Sequence, residues 1–230
     1  MIVDKRIPAT IVDNFFDDPD EIRNYALSLP FDCPRGLYPG IRTEQISLIN
    51  PVLYNTLNSR ILSLFFNQYT DTLNVTIESQ FQIIPGKFET GWAHQDTDVS
   101  GRNLAGVIYL TPNAPLHAGT GIYRKLSEPN YESLRLRNEY YFNNGEISNL
   151  ENYKKQRDEY NSHFESVLDI KNVYNRLIIY DTSGFHKESA MFGTTKQDAR
   201  LTLVFFMTVE PEGRSQFPIT RMRTAPIRIR

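Results

Sequence analysis

The hydrophobic period of this chain changes once, near Leu73, and that change limits the folds open to it. Before Leu73, apolar residues recur every three or four positions; after it they tend to alternate, with glycine and proline between the runs. Helices first and then many short strands do not make the repeated βα units of a parallel sheet. They make strands packed on strands, with helices to one side.

The helical part carries its own boundary signals. Asp18 can cap a helix, Pro19 suits its first position, and Glu21 stands where a capping box needs it. Ile22, Tyr25, Ala26 and Leu29 then share a face until Pro30 stops the run. A second helix is expected to open at Asn50-Pro51 and reach about Phe66, turning Leu53, Leu57, Ile61, Leu64 and Phe65 to the core. Phe31 to Ser47 reads as loop and short strand.

Beyond Leu73, the residues Val75, Ile77, Phe81 and Ile83 lead into a Pro85-Gly86 turn. Gly106 to Leu110 suits an inner strand, Gly121-Ile122-Tyr123 begins a short one, and Leu177 to Tyr180 and Leu201 to Met207 are the strongest β segments. The whole reads as a mainly β fold with supporting α-helices, a double-stranded β-helix or jelly roll. Its expected parts are helical support over 14–67, a jelly-roll core over 73–208 with an insertion over 125–172, and a basic tail over 211–230, in one domain of 230 residues. Within the insertion, Asn149 to Phe164 suits a helix, and the tyrosines around it suit either a rim or lid over a pocket or a peripheral helix or dimer contact.

Composition removes some function classes. A net charge of −2 makes the chain as a whole no electrostatic binder of nucleic acid. Only the tail is lopsided, with Arg214, Arg221, Arg223, Arg228 and Arg230 and no acid after Glu212. That suits a solvated tail or a contact with an acidic partner. Cys33 is the sole cysteine, so no intrachain disulfide can form. Neither a leader-like start nor a membrane-length apolar run is evident. A soluble cytoplasmic protein, monomer or homodimer, is expected.

The chemistry lies in a dispersed polar set. In an extended chain, residues i and i+2 point to one face, so His94 and Asp96 can both reach a single metal ion. His186 follows the turn Ser183-Gly184 and can arrive from a distant strand. Two imidazoles and one carboxylate form the facial triad that holds non-haem Fe(II) and leaves positions open. Asp98 is a rival ligand lying farther along the same face, with a substrate-facing role expected instead; His117 suits a rim, His163 solvent, and Trp92 either a pocket wall or the core. Arg200, entering an apolar strand with Thr202 two residues on, needs a charged partner if buried, and its planar fork fits a carboxylate.

On these residues the chain resembles the Fe(II)/2-oxoglutarate-dependent dioxygenases, and among them the prolyl-4-hydroxylase-like and the phage and marine-bacterial oxygenase groups. Their HxD pair, distal histidine and later arginine are matched by His94, Asp96, His186 and Arg200, with Thr202 at a place the family keeps as Ser or Thr. Tyr109-Leu110-Thr111 is similar to a YLN segment, and Gly119-Thr120-Gly121 resembles a glycine-rich turn, so the likeness spans roughly Val75 to Met207. The tyrosine that the family often keeps before the Pro-Gly turn is here Ile83. Tyr109, Gln82 or Tyr123 is expected to replace its phenol, Tyr109 foremost.

The resemblance implies Fe(II), 2-oxoglutarate and O2 as cofactors, with ascorbate as a supporting reductant, and hydroxylation of a small-molecule or peptidyl substrate, possible examples being a peptidyl side chain or a free amino acid. The carboxylate of Asp96 favours hydroxylation over the halogenation found in relatives that lack it. Two other readings stay open at this point: a cupin-like metal enzyme that does not use 2-oxoglutarate, and a non-catalytic phage or structural protein with an oxygenase fold.

Overall fold

Asp18 caps the first helix, α1 (Pro19–Ser28), its side chain accepting from the Glu21 N–H at 2.9 Å. The computed structural model in which this is seen describes residues 9–33, 36–66, 73–96 and 104–211, so Asp98 and the arginine-rich tail lie outside the described residues. A single turn, α2 (Ile46–Ile49), lies in the segment read as loop and strand. It leads into α3 (Pro51–Ser63), which Asn50 caps by accepting from the Leu53 N–H at 2.9 Å. That helix buries Leu53, Leu57 and Ile61 but stops short of Phe66. Leu64, expected in the core, is therefore turned outward, while Phe65 packs at the core's edge.

The strands form two antiparallel sheets. The major sheet takes β1 (Ala9–Val12), β2 (Ile41–Arg42), β3 (Leu73–Ile84), β4 (Leu104–Tyr109), β7 (Leu177–Asp181) and β9 (Arg200–Pro211), in the order β1-β7-β4-β9-β3-β2. The minor sheet takes β5 (Thr120–Lys125), β6 (Phe164–Ile170) and β8 (Phe185–Glu188), in the order β6-β5-β8. Mainly β, with helices backing one sheet, this is the jelly roll that the change of period implies.

Alternation along the strands sorts the two faces of the major sheet. Leu201, Leu203, Phe205 and Met207 of β9, with Phe81 and Ile83 of β3, pack on Ala26, Leu57 and Ile61 of the helices. Burying each such side chain contributes roughly 1.5–3 kcal/mol. Gly106 in β4 belongs to this face, where a Cβ would stand 2.2 Å from the Phe205 ring. Only glycine lets that ring lie flat on the strand. The opposite face carries Gln82, Arg200, Thr202, Val204, Val107 and Tyr109, and looks toward the minor sheet.

The polar stretch after β5 folds as two helices, α4 (Leu134–Phe142) and α5 (Leu150–Asn161), and then returns to the sheet as β6. Part of the range read as insertion, Phe164–Ile170, is therefore a strand of the minor sheet. Tyr131 stays exposed, and Tyr141, with Arg137, reaches the cavity between the sheets. Tyr140, Tyr141, Tyr153 and Tyr160 are buried with Phe88 and Trp92 in an aromatic cluster of their own.

Candidate metal centre and the cavity behind it

His94 and His186 face each other across an isolated antiparallel bridge, with each backbone N–H bonded to the other's carbonyl at 3.0 and 2.9 Å. The segment holding His94 is thus an irregular edge laid along β8, and only at His94 does it pair as a strand. One further bond, from the Asp96 N–H to the Thr182 carbonyl at 3.0 Å, carries it past the turn. Residues directly opposite in such a bridge share a face, so the two imidazoles meet, with ring centroids 4.4 Å apart.

Asp96 completes the cluster. Its carboxylate lies 3.2 Å from Nε2 of His186 and 3.7 Å from Nε2 of His94, and one ligand atom from each of the three residues lies within 4.8 Å of the others. Both rings are held from behind: Nδ1 of His94 is 2.8 Å from the Trp92 carbonyl, and Nδ1 of His186 is 3.0 Å from that of Gly184. A carbonyl can only accept, so each Nδ1 carries the proton and each Nε2 presents its lone pair to the centre. That tautomer is the one a divalent metal requires.

Exposure is graded across the cluster. The His94 side chain is 31% exposed, Asp96 15% and His186 5%. Burial and the neighbouring His186 hold the His94 imidazole below its ordinary pKa. Burial also acts to lower that of His186, but the charge and hydrogen bond of Asp96 outweigh it and leave the group raised.

The cluster opens into a cavity of about 450 Å³ between the sheets, whose lining includes Arg200, Gln82 and Thr120. Arg200 is 1% exposed. Its Nε reaches the Ala118 carbonyl at a long 3.4 Å, its Cζ lies 5.4 Å from the centre of the Tyr109 ring, and Nη2 has no partner. Thr202 is fully buried and its hydroxyl is likewise unpartnered. In register, Thr202 stands between Gln82 on β3 and Tyr109 on β4. Tyr109 is buried beside Arg200 with its hydroxyl donated to Thr120 Oγ1 at 2.8 Å, and burial raises its pKa. Gln82 faces the cavity with its amide donated to the Pro39 carbonyl at 2.7 Å.

Tyr123 lies elsewhere. Ile122 faces inward from β5 toward the major sheet, so its neighbour Tyr123 points out of the other face, where Lys187 lies over its ring. His117 is exposed, His163 bonds Ser127 at 2.7 Å, and Trp92 is fully buried in the aromatic cluster with no part in the cavity wall.

Two features were not foreseen. The first is a brace: α5 holds the His94 segment through Asn161, which accepts from the Ala93 N–H and donates to the Gly91 carbonyl, both at 3.0 Å. Trp92 Nε1 donates to the Tyr153 hydroxyl at 2.9 Å, and Arg157 of α5 pairs with Glu89 at 3.1 Å. The second is Arg42, a further arginine on the cavity wall.

Two facing antiparallel sheets around a His-Asp-His cluster give a jelly-roll fold that solved enzyme structures share. The chain is similar to a prolyl hydroxylase from Trichoplax adhaerens in complex with a hypoxia inducible factor peptide fragment, at 13% identity and TM-score 0.50 over 95% of this chain and 87% of that one. It is similar to HygX from Streptomyces hygroscopicus with nickel, 2-oxoglutarate and hygromycin B bound, at 11% identity and TM-score 0.52 over 88% and 83% of the two chains. The non-heme alpha ketoglutarate dependent epimerase SnoN from nogalamycin biosynthesis matches at 11% identity and TM-score 0.52, over 93% and 89%. At these identities the likeness is one of fold. By sequence, the chain belongs to the family described as a family of unknown function (DUF6445), which matches residues 1–207. No curated protein matches it. Among the described residues, no helix is long and apolar enough to cross a membrane.

Proposed function

We propose that this protein is a non-haem iron oxygenase that couples oxidative decarboxylation of 2-oxoglutarate to hydroxylation of a small-molecule or peptidyl substrate. The observation that carries this reading is the orphaned pair, Arg200 Nη2, at the cavity that also holds the triad, and Thr202 Oγ1, two residues on along the same face of β9. Leaving such groups unsatisfied costs about 1–3 kcal/mol each, more for a charged one. A carboxylate ligand offsets both at once, taking the guanidinium fork and the hydroxyl together.

In this reading His94, Asp96 and His186 hold Fe(II) through two Nε2 atoms and one carboxylate oxygen, and the Nδ1 bonds to backbone carbonyls fix both rings. Arg200 and Thr202 hold the far carboxylate of 2-oxoglutarate, and Tyr109 packs behind Arg200 to restrict the guanidinium plane. Iron and the oxo-acid, when bound, would supply dioxygen activation, with succinate and CO2 released and an oxygen atom inserted into a substrate C–H bond. The chain's own part is to position that carbon and keep competing reductants out. HygX with nickel and 2-oxoglutarate bound supports the cofactor assignment, and the peptide held by the Trichoplax enzyme supports the range of substrates.

The test is anaerobic titration of the protein with Fe(II) and 2-oxoglutarate, following the visible charge-transfer band of the chelate. A band that needs both additions and disappears in Asp96→Ala is the expected result. No band and no 2-oxoglutarate binding at saturating metal would remove the oxo-acid reading and leave the cupin-like one.

A further inference from the structure

We propose that Arg42 anchors the carboxylate of the molecule to be oxidised, and that this molecule is a free α-amino acid or a zwitterion of similar size; the proposal rests on the oxygenase reading above. Strand register supplies the placement. Tyr109, Thr202, Gln82 and Arg42 are successive cross-strand neighbours on β4, β9, β3 and β2, so Arg42 ends the row that begins at the 2-oxoglutarate residues. It lines the same cavity as the triad.

The guanidinium is built in. Its Cζ lies 3.8 Å from the centre of the Tyr38 ring and 5.9 Å from that of Phe206, which restricts its plane. Nη2 reaches Gln82 Oε1 at 3.4 Å, and Gln82 is itself fixed by its bond to Pro39. Nε is buried with no partner. Among the described residues no carboxylate is in ion-pair contact with Arg42. Burial pushes its pKa down to about 10, with Tyr38, Glu188 and Asp96 acting against that shift, so it remains a cation at neutral pH. A stacked guanidinium with an unpaired edge is matched by the two oxygens of a carboxylate.

The rest of the wall narrows the class. Glu78, Asp96 and Glu188 line the cavity together with Arg42, Arg137, Lys187 and Arg200, so its wall carries both signs of charge. An ammonium group is favoured beside those acids. A residue inside a peptide, unless it is Asp or Glu, has no free carboxylate to offer Arg42. One negative and one positive group on a small frame match Arg42 and the acids that share its wall.

The experiment uses full-length protein loaded with Ni(II) and 2-oxoglutarate and titrated calorimetrically with each standard L-amino acid and with its carboxamide. At least one amino acid should bind, and its carboxamide should bind about tenfold more weakly or worse. Arg42→Gln should lose the amino acid by a similar factor, Arg42→Lys should lose less, and the affinity for 2-oxoglutarate should be the same in all three proteins. The lysine variant carries the test if the glutamine variant does not fold. The proposal is overturned if no amino acid binds while 2-oxoglutarate does, if acid and carboxamide bind alike, or if the variants bind the amino acid as wild type does. Loss of 2-oxoglutarate affinity in Arg42→Gln overturns it too, by moving Arg42 to the co-substrate. Failure of wild type to bind 2-oxoglutarate at all overturns the oxygenase reading instead.

Discussion

The two ends of the cavity are held in place by different means. At the Arg200 end, the polar side chains stand on strands of a continuous ladder, with β3 and β9 paired over twelve residues. Register alone sets Gln82, Thr202 and Tyr109 in a row, and the helix-backed core behind them fixes the sheet. The metal end has no such ladder: His94 lies on an edge segment paired at one bridge. There the orientation comes from side chains of α5, more than 60 residues further along the chain, which bond to Gly91, Trp92 and Ala93. A sheet interior positions residues by pattern, while an edge has to be positioned by packing from outside.

The largest expected effect breaks the brace. Trp92→Ala removes a fully buried ring that packs on Tyr153 and Tyr160, and should cost about 3–5 kcal/mol in denaturant unfolding. Metal affinity should fall with it although Trp92 is no ligand; a variant that binds Ni(II) as tightly as wild type would show that His94 does not depend on the brace.

Arg200→Ala tests the other end. With metal saturated, 2-oxoglutarate should bind more weakly by roughly 2–4 kcal/mol, while Ni(II) affinity measured without 2-oxoglutarate stays put. Parallel loss of both would mean that the two ends are not independent. Thr202→Val should cost about 1 kcal/mol of 2-oxoglutarate binding. Because its hydroxyl is buried and unpartnered, the same change should leave the ligand-free fold as stable or raise its melting temperature. A fall in ligand-free stability would point to a hydrogen bond for that hydroxyl within the protein. Tyr123→Phe, on the outer face of β5, should leave 2-oxoglutarate affinity unchanged within error, and a measurable loss would put its phenol back among the co-substrate residues.

The same contrast decides what could be read from sequence. Asp18, Pro19 and Pro30 mark out α1 because caps and breakers are local. The alternation of Leu201 to Met207 sorts β9 because a strand has period two. His94 and Asp96 could be paired because they are two residues apart, and His186 by the turn before it. Tyr123 was misjudged, although alternation held the answer: with Ile122 facing inward, its neighbour cannot. Arg42 left no signal, since a strand of two residues has no period to detect. The brace left none either. Its bonds join Asn161 and Tyr153 to partners 68 and 61 positions away, and tyrosines in a charged helix look like surface until their packing is seen.

The chain has a single tryptophan, fully buried and hydrogen-bonded two residues from His94. Its fluorescence is therefore a native optical probe of the braced edge and of nothing else in the molecule. Circular dichroism averages over every helix and strand. If the edge loosens before the helix-backed sheet melts, tryptophan emission will shift to the red at a lower temperature than the loss of ellipticity, and added Ni(II) will close the gap between the two curves.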